Sequence, residues 1–432
     1  MPPFPPLIAL LLRQWRVARG FTQEQLADIA DVSVRAISNI ERGINAAPQR
    51  ATIRSLADAL QLTGADRAHF VGAVRRQRSG SGMPHEPDFL RLTPLPVPFT
   101  PLLGREHLEA AATHLLAKPV VRCLTLTGPL GVGKTRLAIQ VASALATHFT
   151  DGVAFVPLAD SPAISLHAAI LPHLCTTNCL PTDALARLLA TIRGRELLLV
   201  CDGVDRQHDG ASQLATLLAL TPSLKILVTS RAPLGIPGEQ ELSVMPLDLP
   251  PEGAVPSTDV EQFGAIAVLL YYVRASKPDF IASPAQVEVI CQLCRHLDGL
   301  PLALELVAAR TRVLALHELI LYLTAEAGLD FLSPPRSQHA LRETIADSVD
   351  RLNMTERAIF QVLSQMQGPF TVEDVCAQCP ALSRAQVLAS IEALHTHALI
   401  IAAPAPTRNI PAFMMLRVIR WFGATLAAAY SP

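Results

Sequence analysis

The stretch Gly128-Pro129-Leu130-Gly131-Val132-Gly133-Lys134-Thr135 restricts this chain more than any other. It reads G-x-x-x-x-G-K-[ST]. A β-branched and apolar run, Val120 to Thr127, precedes it, and a helical run, Arg136 to Ala142, follows. Strand, glycine loop and helix in that order form the P-loop context. The glycines let backbone N–H groups turn toward a phosphate chain, and the helix N-terminus adds its positive dipole end. Lys134 is placed to reach the β- and γ-phosphates. Thr135 is placed to offer its hydroxyl to Mg²⁺. A glycine turn with no ligand would have no use for the Lys-Thr pair.

Further strands are readable behind the loop. Val153 to Val156 is one, and Leu197 to Asp202 is a second, apolar on both faces and ending in an acid. Asp202 therefore falls beside the P-loop, where a carboxylate holds the water shell of Mg²⁺. Ile226 to Arg231 is another strand, and Arg231 at its end is expected to project toward a γ-phosphate. Strands alternating with helices predict a doubly wound parallel sheet.

At 432 residues the chain is long for one core, and about three domains is the expectation. Its 50% hydrophobic and 17% charged content excludes a disordered class. The net charge of -1 hides an asymmetry: residues 1–78 hold eleven Arg, no Lys and six acids, a net of +5. A basic end on a neutral chain points to nucleic acid. No run reaches the ~18 apolar residues of a transmembrane helix. Leu7 to Leu12 is too short for a signal segment. Eight scattered Cys fit reduced thiols and a cytoplasmic chain. The C-x-x-C pairs Cys291/Cys294 and Cys376/Cys379 lie in apolar helical stretches, which favours buried thiols over zinc.

The basic end has its own pattern. Leu7, Leu11 and Trp15 share one side of a helix that Gly20 stops. Thr22 and Gln25 form a capping box for a second helix, with Leu26, Ile29 and Ala30 as its apolar face. After a turn at Asp31-Val32, Ser33 caps a third helix whose Ile37 and Ile40 face inward, and Gly43 ends it. Two short helices joined by a tight turn make a helix-turn-helix. Gln23 opens the second helix, and Arg35, Ser38 and Asn39 lie on the outer side of the third. These side chains suit base edges or phosphates. Ser79 to Gly82 and the prolines from Pro84 to Pro101 read as a linker, flexible first and stiffer after.

Arg19 to Ala27 and Val32 to Gly43 resemble the lambda-repressor/Cro-like (XRE-type) helix-turn-helix over roughly residues 7–75. The resemblance implies double-stranded DNA as partner, with Ser33, Val34, Arg35, Ser38 and Asn39 along the major groove and Gln23 on the backbone. It also implies closing helices at Thr52–Leu60 and Ala65–Val74. Residues 99–428 resemble an NB-ARC-type ATPase of the STAND class. Leu103-Gly104-Arg105-Glu106 is similar to its entry motif near adenine. Gly299 to Leu304 is similar to its GLPLAL motif, which puts Pro301 near the base. Leu352–Ala381 and Val387–Ala427 resemble its winged helix, and Phe413 to Arg420 its M-H-D segment.

The implied fold class is multidomain α and α/β: a five-helix domain at 1–78, a linker at 79–98, a P-loop NTPase domain at 99–247, a helical subdomain at 248–332 and a winged helix at 333–432. The implied nucleotide set is Gly104, Arg105, Gly128, Gly131, Gly133, Lys134, Thr135, Arg136, Pro301 and Arg417, with Thr135 and Asp202 toward Mg²⁺. Asp202, Asp205 and Arg231 are the candidate catalytic residues. Three departures qualify this. Gly203 stands where relatives carry a second acid, leaving Asp205 as nearest substitute. Leu416 and Arg417 replace the His and Asp of M-H-D. The chain ends at Pro432, where relatives continue into sensor repeats, so a separate sensor protein is one expectation. The combination implies an ATP/ADP-gated transcriptional regulator, at most a slow ATPase, that forms a homo-oligomer with ATP. A signalling scaffold and a turnover ATPase are the alternatives.

Overall fold

A computed structural model describes residues 7–42, 44, 48–60, 62, 70, 90, 92–158, 165–175, 184–204, 209–251, 260–324, 331–332, 341–403 and 410–430. The chain divides into two compact units. One is Met1–Leu90 with Cys175–Thr191, and the other is Arg91–Leu174 with Ile192–Pro432. Gly43, Asp205, most of the linker and all but Phe70 of the expected closing helix at 65–74 lie outside the described residues.

The first unit holds α1 (Leu7–Ala18), α2 (Gln23–Ala30), α3 (Val34–Glu41) and α4 (Arg50–Ala59). Thr22 and Gln25 form the expected capping box, and the Ser33 hydroxyl accepts from the Ala36 N–H at 3.2 Å. Asp31 takes a left-handed φ of 52° and turns the chain between α2 and α3. Leu12, Leu26, Ile37, Ile40, Leu56 and Phe70 are buried together. Ile29 is not in that core; it is 54% exposed. The buried stripe of α2 runs through Leu26, Ala27 and Ala30, and its centre lies about 100° around the helix from Ile29. The Arg16 guanidinium reaches across to Glu41, with Nε–Oε1 at 2.6 Å and Nη2–Oε2 at 3.1 Å. The Gln23 amide donates to the same carboxylate at 2.6 Å.

The second unit is built on five parallel strands: β1 (Cys123–Thr127), β2 (Val153–Pro157), β3 (Leu198–Asp202), β4 (Lys225–Thr229) and β5 (Glu239–Ser243), in the order β2-β3-β4-β1-β5. The inner strands are buried almost end to end, which explains their unbroken apolar runs. The order reverses at β1. Right-handed crossovers therefore put helix α6 (Lys134–Ala144), which follows the glycine loop, on the opposite face from the helix that joins β3 to β4. β1 begins at Cys123 rather than Val120, and β4 ends at Thr229 rather than Arg231. β5 was not expected. It is an edge strand, Glu-Gln-Glu-Leu-Ser, largely open to solvent, and so carries no apolar signal.

Helix α5 (Glu106–Ala117) precedes β1 and packs on α6. Between β2 and β4 in sequence come α7 (Leu166–Ile170) and α9 (Gly210–Leu220) of this unit, while α8 (Ala184–Ile192) falls almost wholly in the first unit. A helical layer follows: α10 (Gly264–Ser276), α11 (Pro284–His296), α12 (Pro301–Arg310) and α13 (Leu316–Thr324). Next are α14 (Leu341–Asp350), α15 (Met354–Gln365), α16 (Val372–Gln378), α17 (Arg384–Thr396), the antiparallel hairpin β6 (Ile401–Ala403) and β7 (Ala412–Met414), and α18 (Arg417–Tyr430). One continuous apolar core runs from the sheet through these helices.

Candidate functional site

The carboxyl ends of β1, β3 and β4 lie side by side, and the last residues of β3 and β4, Asp202 and Thr229, line one cavity. The register pairs Asp202 with Thr229 and Thr229 with Leu126. From the loop after β1 comes Thr135, whose hydroxyl donates to Asp202 Oδ1 at 2.7 Å. The Thr229 hydroxyl donates to the same oxygen at 2.6 Å. Lys134 Nζ donates to the Gly128 and Pro129 carbonyls at 2.8 and 2.9 Å, so its ammonium sits inside the loop. Gly133 takes φ of 97° as the residue before α6, a conformation that glycine reaches without a Cβ clash.

This cavity measures about 350 Å³. Arg105, Gly131, Gly133, Lys134, Thr135, Arg136, Asp202, Arg231 and Pro301 all line it, as the sequence predicts. The lining also holds apolar and aromatic side chains, among them Leu102, Leu103, Val268, Tyr271 and Tyr272. Polar and apolar walls together suit a ligand that carries both a phosphate chain and a flat ring. Arg105 is 5% exposed. Burial lowers its guanidinium to about 10, against the opposing pull of Asp248. It therefore stands as a desolvated cation at the cavity wall. Arg136 lines the cavity but is committed to structure: its guanidinium binds the Thr100 hydroxyl and carbonyl and reaches the Pro101 carbonyl at 3.0 Å.

Several predicted residues are placed elsewhere. Gly104 and Gly128 do not line the cavity. A Cβ on Gly104 would come within 2.7 Å of the Gly264 Cα, so this glycine serves the close approach of α10. A Cβ on Gly128 would meet the Val244 carbonyl oxygen at 2.3 Å, beyond the end of β5. Arg417 is also absent from the cavity wall. Its backbone N–H donates to the Asp298 carboxylate, and Leu416 beside it is 1% exposed in the core. Arg231 lines the cavity while its Nη1 donates to the Ser348 hydroxyl on α14 at 2.5 Å. Asp205 lies outside the described residues.

Thr229, Tyr271, Tyr272, Leu302, Glu305 and Thr344 line the cavity and were missed. Thr229 had a signal, as the last residue of an apolar strand next to the Asp202 strand. The tyrosines sit in a helical run that reads as core. Thr135 and Asp202 are hard oxygen donors on adjoining elements, and their pairing fits Mg²⁺. Among the described residues no group of three or more His, Cys, Asp or Glu could hold a metal. Cys291 and Cys294 are buried in α11, and burial pushes both thiols up. No described helix is long and apolar enough to cross a membrane.

On the first unit, Ser33, Val34 and Arg35 are exposed at the start of α3, with Ser38 and Asn39 half-buried behind them. Ser33 has its hydroxyl in the cap and Gln23 has its amide on Glu41, so each already has a structural partner. Arg35 is exposed on this surface, as is Arg42 just past the end of α3.

A family model described as a helix-turn-helix domain matches residues 7–70. A Mycobacterium tuberculosis protein named "Putative HTH-type transcriptional regulator" is 33% identical over 272 residues, 59% of this chain and 28% of that protein. An uncharacterized protein of the same organism is 32% identical over 265 residues, 58% of this chain and 62% of its own length. The regulatory protein AfsR of Streptomyces griseus is 35% identical over 121 residues, 26% of this chain and 12% of its own length. The chain thus spans between about an eighth and three fifths of these relatives. Among solved structures, a STAND protein with a tetratricopeptide repeat sensor from Pyrococcus horikoshii aligns at 14% identity and TM-score 0.30, over 81% of this chain and 48% of that one. An N-terminal segment that matches a helix-turn-helix family model is thus followed in this chain by a parallel sheet whose first strand leads into the P-loop sequence.

Proposed function

We propose that this chain is a cytoplasmic transcriptional regulator that binds double-stranded DNA through α3 and is switched by ATP and ADP at the P-loop cavity. The observation that carries the switch is the meeting of Thr135 and Asp202 at 2.7 Å in a cavity that aromatic side chains also line. Thr135 and Asp202 would hold Mg²⁺, which would supply charge neutralisation for the phosphates. The protein's own groups do the rest. Lys134 turns from the loop carbonyls to the phosphates, Gly131 and Gly133 leave backbone N–H groups open to oxygen, and Tyr271 and Tyr272 flank a base. Arg105 offers a desolvated cation at the wall, and Arg231 moves between Ser348 and a γ-phosphate. Pro301 closes the base end.

Hydrolysis is slow in this reading. Among the described residues, the carboxylates at the cavity are Asp202 and Glu305. Gly203 holds the position of a second acid, and its N–H is bound to the Thr229 hydroxyl at 2.9 Å. Nothing described there stands ready to orient a water. Turnover far below the ~10 s⁻¹ typical of enzymes follows.

Calorimetry with ATP and ADP, with and without Mg²⁺, tests the assignment. Wild-type binding that Lys134→Ala removes, at unchanged thermal stability, is the expected result. Lys134 lies in the loop and not in the apolar core, so its loss costs binding and not packing. Equal ATP affinity in the two proteins overturns it.

A further inference from the structure

The floor of the cavity holds one hydroxyl that neither the motif nor the proposed switch uses. Thr229 ends β4, is 2% exposed and lines the cavity. Its hydroxyl is fully committed. It donates to Asp202 Oδ1 at 2.6 Å and accepts from the Gly203 N–H at 2.9 Å. The Gly203 N–H also reaches the Thr229 carbonyl at 3.1 Å. We propose that Thr229 is a positioning residue for the divalent cation, holding the Asp202 carboxylate in the plane that meets the Thr135 hydroxyl. This rests on the nucleotide-site reading above.

The physical need is clear from the rotors. The last torsion of an aspartate is broad, because it joins an sp³ to an sp² carbon. A single donor from Thr135 would leave the carboxylate free to swing. Thr229 adds a second donor to the same oxygen from a strand position that cannot shift, since the register pairs it directly with Asp202. A β-branched side chain is stiff at χ1, so the hydroxyl keeps its direction. The lone pair that takes the Gly203 N–H fixes the turn after β3 at the same time. One buried hydroxyl thus sets both the ligand and the backbone that follows it. Partners behind a ligating carboxylate commonly matter about 10- to 100-fold in metal affinity.

The test compares wild type, Thr229→Val and Thr229→Ser. Valine keeps the shape and strand preference and loses only the hydroxyl; serine keeps the hydroxyl. ATP binding is followed by calorimetry across a Mg²⁺ series, with a chelator-only control. Thr229→Val should raise the Mg²⁺ concentration needed for half of the metal-dependent ATP binding by about 10- to 100-fold. Thr229→Ser should stay near wild type, and all three should bind ATP equally in chelator. A Val variant with the wild-type Mg²⁺ requirement overturns the proposal. So does one that loses ATP affinity equally with and without Mg²⁺, which marks a general distortion. A wild-type chain that binds no ATP overturns the nucleotide-site reading and this inference together.

Discussion

Arg16 and Glu41 show how a single pair of residues can organise a small domain. The Glu41 side chain is 5% exposed and takes three donors from two side chains. The hydrogen bond to Glu41 raises the Arg16 guanidinium further above its ordinary value. Taken whole, both residues are half-buried, and removing Glu41 leaves Arg16 with the Phe21 carbonyl at 2.8 Å, so the loss costs roughly 1–3 kcal/mol. Glu41→Ala should therefore unfold the N-terminal domain at a lower temperature, read by circular dichroism on a fragment or by proteolysis of the full chain. At the surface the expectation is different. Arg35 is exposed, so Arg35→Ala should leave stability alone and weaken specific DNA binding by about 1–3 kcal/mol if it reads a base edge. If it holds phosphate, affinity should fall alike for all sequences, with a shallower salt slope. Mobility shifts across a salt series separate the two. Binding indifferent to both the substitution and salt would count against the DNA-binding role of α3.

Helix α18 is capped by another element. Its first N–H, at Arg417, donates to Asp298, a residue with a left-handed φ of 50° just past the end of α11. A carboxylate at a helix N-terminus satisfies an orphan donor and meets the dipole. Asp298→Ala should cost about 0.5–2 kcal/mol of stability in a denaturant titration. Burial pushes the Asp298 carboxyl up, more than the Arg417 N–H and the charges of Arg417, Arg420 and His296 pull it down. A group whose folded value is raised gives its full contribution below the unfolded value of about 4 and loses it as pH rises through the folded value. Asp298→Asn should remove that fall, so the pH profiles of the two proteins should diverge on the acid side. The helix also revises the expected phosphate contact of the M-H-D position. Leu416 is packed in the core and Arg417 meets Asp298 through its backbone, so Leu416→His should destabilise the fold by burying an imidazole rather than tighten ADP. The capping box at Thr22 and the inner strand runs were legible because they are local. The Asp298 cap joins residues far apart in sequence, and no periodicity announces such a pair. β5 was invisible because an exposed edge strand needs no apolar face.

Across the whole chain, the P-loop and the strand ending in Asp202 could be read from their neighbours alone. The cavity wall could not, since Tyr271, Glu305 and Thr344 come from three helices of the following layers. Those layers share one core with the sheet, and Arg231 and Thr344 bring α14 to the nucleotide cavity. A ligand that pulls Arg231 off Ser348 therefore acts on more than its own pocket. ATP with Mg²⁺ should change the sedimentation coefficient of the protein, and ADP should not. The shift should vanish in Arg231→Ala. A coefficient that ignores nucleotide would leave a binding site without a switch.

Gly131 gives the loop an unexpected tenant. Its carbonyl accepts the Leu302 N–H at 3.2 Å, and a Cβ on it would press on the Leu302 Cβ at 2.9 Å. The start of α12 thus rests directly on the glycine loop, and under the proposed nucleotide reading that helix would have to lift before the ligand leaves. Residence time then follows the rarity of a mechanical opening rather than the grip on phosphate, as in enzymes timed by their lids. Gly131→Ala would wedge the seam, and in stopped-flow traces the escape of a fluorescent ADP should quicken far more than its equilibrium affinity falls.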